Sequence, residues 1–174
     1  MKQRKNGIIG FDLYYQEMFG DRWPVLKDAL LQPKKHIAII NPFADFTYSL
    51  PHHVLEGFNQ IHVIADEFSR PKKNQTNLYN YYLMDAASLL PSQSLEIKAG
   101  DKILDLCAAP GGKSLLCAFE LKGSGQLVAN DRSATRRSRL HRIFNDYLPS
   151  EVKDNILITS HDASRWSLYE QSVY

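Results

Sequence analysis

The residues with the most chemistry in them are Asp105-Leu-Cys-Ala-Ala-Pro-Gly-Gly-Lys113-Ser114. Two adjacent glycines, Gly111 and Gly112, let the backbone approach a ligand closely. The helix-like run that follows would begin with N–H groups lacking intrahelical partners, at the positive end of its dipole. Such a turn suits a small ligand carrying negative charge. Gly112-Lys113-Ser114 imitates the end of a P-loop, but that motif needs a second glycine where Cys107 stands. The dinucleotide fingerprint Gly-x-Gly-x-x-Gly finds only the adjacent pair. A nucleoside bearing a carboxylate, such as S-adenosylmethionine, asks for less: a close turn, N–H donors and an acid for the ribose.

That acid is Asp131, at the end of the strand-like run Gly125-Gln-Leu-Val-Ala-Asn-Asp131, about 20 residues past the turn. A third unit repeats the pattern, with Asn155-Ile-Leu-Ile-Thr159 as strand and Ser160-His-Asp162-Ala163 as its exit. Asp162 is placed to accept from the exocyclic amine of an adenine. Either acid taken singly suits the capping of a turn. At the ends of successive strands beside a glycine turn, the two together suit a ligand.

Strands and helices must alternate to present these residues together. Lys102–Cys107 reads as a strand, Lys113–Leu121 as a helix, and Ser133 as the N-cap of a helix to Tyr147 with Leu140, Ile143, Phe144 and Tyr147 on its core side. This is the pattern of an α/β, doubly wound sheet. Upstream, Ile8–Phe19 reads as a helix ending near Gly20, and a second begins near Pro24. His36–Ile40 and Ile61–Ile64 read as strands, and Leu78–Leu90 as a helix stopped by Pro91.

The motif at 105–114 resembles the cofactor motif of the Sun-domain (NSUN) RNA cytosine-5 methyltransferases. The resemblance continues upstream through Tyr81-Tyr-Leu-Met-Asp-Ala-Ala-Ser-Leu-Leu-Pro91 and downstream through Asn130-Asp131, Arg136 and Thr159-Ser-His-Asp162-Ala-Ser-Arg-Trp166. Phe11-Asp-Leu-Tyr-Tyr and Phe19-Gly-Asp-Arg-Trp-Pro24 are similar to the mitochondrial small-subunit ribosomal-RNA branch. The family implies a Rossmann-like fold dependent on S-adenosylmethionine, here with an incomplete C-terminal half and a mostly helical N-terminal extension. It implies that Cys107, Ala108, Ala109, Pro110, Gly111, Gly112, Lys113 and Ser114 line the cofactor, the last four at its methionine end. Asp131 and Arg136 would lie near ribose and adenine, with Asp162 and Ala163 flanking the base. Residues 1–77 then form the extension and 78–174 the N-terminal half of the cofactor-binding domain.

One departure bears on chemistry. The family uses a cysteine in a Pro-Cys pair and another in a Thr-Cys pair; one adds to carbon six of the cytosine and the other assists release. The two cysteines of this chain are Cys107, in the cofactor turn, and Cys117, in an apolar helical run. Neither suits a nucleophile. The catalytic residue is expected beyond Tyr174. The enzyme reading therefore stands beside a second one, a catalytically inactive RNA- or partner-binding scaffold.

Composition limits the remaining classes. The 174 residues are 44% hydrophobic and 23% charged, with net charge +2, as for an ordinary folded chain without a strong nucleic-acid signature. Arg132, Arg136, Arg137, Arg139 and Arg142 read as a solvated helix face. Arg70, Lys72 and Lys73, in the polar loop Ser69–Asn77, are the better candidates for RNA phosphates. The expected partners are RNA, ribosomal RNA foremost, and a protein that delivers it. The six histidines lack metal-ligand spacing, and no apolar run approaches a membrane span. Trp23 and Trp166 read as packing residues. Met1–Gly7 is basic but not a serine-rich amphipathic leader. Mitochondrial location follows from the resemblance, with a cytoplasmic one as alternative.

Overall fold

Aromatic side chains build the first elements of the chain. In the computed structural model, residues 7–33, 36–45, 53–54, 62–64, 68–169 and 174 are described. Helix α1 (Gly7–Phe19) leads through a 3₁₀ turn, Gly20–Arg22, into α2 (Trp23–Leu31), with Pro24 in the first turn where its missing N–H costs nothing. The two helices close on Trp23, which is 4% exposed. Tyr15 stacks on its indole at 5.0 Å, and Phe11 and Phe19 flank it. The packing role read for Trp23 is what the structure has. This stretch belongs to a separate compact unit, Met1–Lys34, and the remainder, Lys35–Tyr174, to a second.

The second unit begins with an antiparallel sheet. Its strands are β1 (His36–Ile40), β2 (His53–Val54), β3 (His62–Ile64) and β4 (Tyr81–Asp85), in the order β2-β3-β1-β4. The helix expected over Leu78–Leu90 does not form. Tyr81 to Asp85 pair with β1 along its whole length, from Ile40↔Tyr81 to His36↔Asp85. Pairing with the apolar β1 strand outweighs the helical spacing of the segment, as tertiary context commonly does with short apolar runs. Asp85 then accepts from Ala87 N at 2.9 Å and starts a 3₁₀ turn, and helix α3 is only Leu90–Gln93.

Next comes the alternating pattern read from the sequence. It runs β5 (Lys102–Asp105), α4 (Gly112–Leu121), β6 (Gln126–Asn130), α5 (Ala134–Tyr147), the short α6 (Ser150–Lys153) and β7 (Ile156–Thr159). A 3₁₀ segment, Ala163–Leu168, follows. The three strands are parallel in the order β5-β6-β7. Ser133 caps α5 as expected, its side chain accepting from Arg136 N.

Within the second unit, one core joins both sheets to α4 and α5. Ile37 and Ile39 of β1, Leu115, Leu116 and Phe119 of α4, Leu127 of β6 and Leu140 of α5 are all at most 1% exposed. Ile103, Leu127, Ile156 and Ile158 face this core. Strand periodicity sends the alternate residues to the other face. There Leu104 lies in register with Val128, and Val128 with Leu157. Leu157 is 58% exposed, while Leu104 and Val128 are half-buried.

Two outcomes follow for stability. Leu127→Ala, which opens a cavity in the core, should cost about 2–5 kcal/mol in urea unfolding, while Leu157→Thr on the other face should cost less than about 1 kcal/mol. Burial pushes the Cys117 thiol up to about 12, aided by the charge of Asp105, and burial also raises the Tyr82 and Tyr147 phenols. Above pH 9, the ordinary value of the thiol, the unfolded chain sheds protons that the folded chain keeps. Stability should therefore hold up to about pH 9 and fall progressively toward pH 12, measured as a declining urea midpoint.

Candidate functional site

Because β5, β6 and β7 run parallel, their C-terminal ends open on one edge, and the three exit loops meet there. β5 ends at Asp105, whose carboxylate fixes the first loop. Oδ1 accepts from Cys107 N at 3.1 Å and Oδ2 from Ser114 Oγ at 2.6 Å, so the strand exit is tied to the first turn of α4. Between them, Gly111 has φ +122°, a conformation that side chains rarely adopt, and a Cβ there would lie 3.0 Å from Leu140 Cδ1. At Gly112 a Cβ would lie 3.0 Å from Tyr82 Oη. No side chain caps the start of α4. Its first N–H groups therefore face the strand exits with their partial positive charge, and exposed Lys113 adds a full one.

Asp131 lies at the second exit and is 3% exposed. Oδ1 accepts from Ser133 N at 2.9 Å. Oδ2 accepts from Ala109 N at 3.2 Å and faces Arg136 Nη1 at 3.2 Å. Arg136 reaches from α5 to the glycine turn, where Nη2 donates to Ala109 O. A carboxylate has about four acceptor sites. Three are taken by the protein, which leaves Oδ1 room for one hydroxyl donor. Arg137 donates to the carbonyls of Asp131 and Arg132 and so closes the same loop from behind.

At the third exit Asp162 starts the 3₁₀ segment. Its Oδ1 accepts from Ser164 N and Oγ at 3.1 and 2.8 Å. Those hydrogen bonds, with Arg132 at 3.8 Å from Oδ2, hold its carboxyl below the usual range. Ala163 follows directly. Trp166 packs its ring edge-on against His161, which stacks on Tyr169 at 4.1 Å.

The structure thus brings Cys107 through Ser114, Asp131 and Arg136 into one bonded group, with Asp162 and Ala163 at the neighbouring exit. A groove of about 240 Å³ runs beside the turn along the free side of β5, lined by Leu95, Leu104, Leu106, Lys113 and Cys117 among others. The basic loop lies elsewhere. Lys73 pairs with Asp146 at 2.9 Å and sits over the Tyr79 ring, near the end of α5 remote from Ser133. The Asp146 hydrogen bond raises its pKa. Arg70 and Lys72 are exposed in the same loop. Of the two cysteines, Cys107 is exposed in the turn and Cys117 is buried in α4. Among the described residues no group of His, Cys, Asp and Glu could hold a metal ion.

The sequence shows Asn130, the last residue of β6, as part of the Asn130-Asp131 resemblance but gives it no role. It is 1% exposed and bonds to both neighbouring strand exits. The available signal was an amide inside an apolar strand, where asparagine is disfavoured.

The sequence family described as 16S rRNA methyltransferase RsmB/F matches residues 92–172. The 5-cytosine rRNA methyltransferase NSUN4 of Bos taurus is 33% identical over 206 residues, covering 96% of this chain and 53% of the relative. The mitochondrial tRNA (cytosine(34)-C(5))-methyltransferase of Mus musculus is 30% identical over 175 residues, covering 87% and 49%. The chain therefore spans about half the length of the curated relatives it matches. Among solved structures, a methyltransferase homologue from Pyrococcus horikoshii superposes with a TM-score of 0.67 at 17% identity, covering 94% of this chain and 55% of that one. NSun6 from the same organism, solved with SFG, gives 0.64 at 15% identity, covering 87% and 64%. The α/β, Rossmann-like methyltransferase fold read from the sequence is the fold observed.

A thiol with a pKa near 12 is about one part in ten thousand thiolate at pH 8. Iodoacetamide at that pH should alkylate Cys107 and spare Cys117 until urea unfolds the chain, as read by peptide mass spectrometry.

Proposed function

We propose that this chain belongs to the Sun-domain (NSUN, RsmB/F) family and is the cofactor-binding portion of an S-adenosylmethionine-dependent RNA cytosine-5 methyltransferase. The observation that carries the reading is the bonded group of glycine turn, Asp131 and Arg136 at the exits of parallel strands. The residues fit the cofactor. A side chain at Gly111 or Gly112 would fill the cradle, the uncapped start of α4 suits a carboxylate, and the open acceptor site on Asp131 suits a ribose hydroxyl. NSun6 of Pyrococcus horikoshii, of the same fold, was solved with SFG, an analogue of that cofactor.

Each residue then has a role. The first N–H groups of α4 and Lys113 hold the methionine carboxylate. Asp105, through Ser114, keeps that helix start at the strand exit. Asp131 receives the ribose and Arg136 balances its charge. Asp162 and Ala163 border the adenine. When bound, the cofactor supplies a methyl group activated on a sulfonium. The cytosine must be activated at carbon five by a thiolate adding to carbon six. Cys117 is unsuited, since burial pushes its thiol up to about 12, and Cys107 lies within the turn that would hold the cofactor. The nucleophile is expected from the part of the family domain that this chain does not match.

The substrate we propose is ribosomal RNA in mitochondria, on the strength of relatives named as rRNA methyltransferases and as a mitochondrial tRNA methyltransferase. Arg70 and Lys72 are the candidate phosphate contacts, with Lys73 committed to Asp146. A second reading, a cofactor-fold scaffold that binds RNA or a partner without catalysis, is favoured by one observation: of the two cysteines, Cys117 is buried in α4 and Cys107 lies within the cofactor turn itself.

Calorimetric titration should show S-adenosylmethionine binding to the 174-residue chain, weakened about tenfold or more by Asp131→Asn, which removes the charge facing Arg136. No binding by well-folded protein would refute the cofactor reading. Transfer of labelled methyl to ribosomal RNA by the chain together with the unmatched portion of a relative would separate enzyme from scaffold.

A further inference from the structure

Asn130 occupies the last position of β6, one residue before Asp131, with its side chain out of water. Nδ2 donates to Leu106 O at 3.0 Å and to His161 O at 3.1 Å. Oδ1 accepts from Thr159 Oγ1 and from His161 N, both at 2.8 Å. A carboxamide has two donors and two acceptor sites, and all four are used. The partners also fix its orientation: turned over, the amide would set its N–H groups against N–H and O–H donors.

These four bonds reach the two loops that flank Asp131. Leu106 leads from β5 into Cys107–Ala109, and Thr159 and His161 lead from β7 into Asp162–Ala163. The main chain repeats the tie, with Ala108 N donating to Asn130 O at 2.8 Å and Asp131 N to Thr159 O at 3.2 Å. We propose that Asn130 is a positioning residue of the cofactor site, its carboxamide setting the spacing between the Cys107–Ala109 stretch, Asp131 and Asp162 on which recognition of the adenosine depends. This rests on reading the cleft as the S-adenosylmethionine site. No residue of the same size substitutes. Aspartate lacks both donors and would turn a charge toward two carbonyls, and leucine leaves two carbonyls and two donors unpaired in the interior.

The effect belongs to the adenosine end. The methionine end is held separately, by Asp105 on Ser114. Asn130→Asp in the full chain should therefore weaken S-adenosylhomocysteine and free adenosine by the same factor, at least tenfold. Lys113→Ala should weaken S-adenosylhomocysteine and leave adenosine unchanged. Leu127→Ala, a core variant of lowered stability in the same strand, separates positioning from stability: titrated well below its unfolding temperature, it should bind both ligands as the parent does. Should Asn130→Asp not fold, Thr159→Val removes one of the four bonds at nearly constant shape and should cost about threefold to fivefold in adenosine affinity. A parent chain that binds, with folded Asn130→Asp or Thr159→Val variants binding equally well, overturns this proposal alone. Equal losses in Leu127→Ala and Asn130→Asp overturn it too. A well-folded parent that binds neither ligand overturns it together with the cofactor reading.

Discussion

The Asp131 carboxylate lies almost out of water, and the strand exits are arranged around the cost of placing it there. A buried carboxylate is tolerated only when charge partners and hydrogen bonds replace its hydration. Here Ser133 N, Ala109 N and the Arg136 guanidinium supply them, from the start of α5, from the glycine turn and from the first turn of α5. Arg136 is half exposed, so solvent screens its contribution and the two backbone donors carry much of the burden. The consequence is geometric. The carboxylate can be satisfied only if the turn after β5 folds back over the end of β6, so the charge and the cradle come as one arrangement.

The turn has its own constraint. Gly111 meets the side chains of Leu140 and Ile143, and Gly112 meets the Tyr82 phenol, so α4 begins hard against α5 and β4. That close approach lets seven of the ten α4 residues be buried. It also settles the part played by Cys117. In a helix packed this densely a cysteine acts as a small apolar side chain, and its raised pKa is a consequence of burial. Site and core are therefore two faces of the same helix: its start serves the ligand and its body anchors the sheet.

What was legible in the sequence was what is local. The three parallel strands, the Ser133 cap and the glycine turn with acids at successive strand ends all lie within short windows, where composition and spacing decide the outcome. The segment from Leu78 to Leu90 was misread because its fate is set by β1, far away in sequence, against which Tyr81–Asp85 pair residue for residue. The role of Asn130 was not legible for a related reason. Its value comes from Leu106, Thr159 and His161, and only the assembled sheet brings these together. The partners of Lys73 were likewise not legible: Asp146 of α5 and the Tyr79 ring come to it only in the folded chain.

Among the described residues, α4 and α5 pack on one side of the parallel sheet. Parallel strands are ordinarily covered on both faces, because each face is apolar. Leu104, Val128 and Leu157 make such a face here, aligned across the three strands, with Leu157 more than half exposed. Yet every bond that shapes the site joins residues of the strand exits to one another or to the starts of α4 and α5. Asp105 holds Ser114, Asp131 holds Ala109 and Ser133, and Asn130 holds Leu106 and His161. None of them depends on what lies across that face. The relatives are about twice as long as the stretch they share with this chain, and covering that face would add stability to the whole sheet. The cradle needs less: three strands in register and two helices packed on one side already fix where its donors and acceptors point.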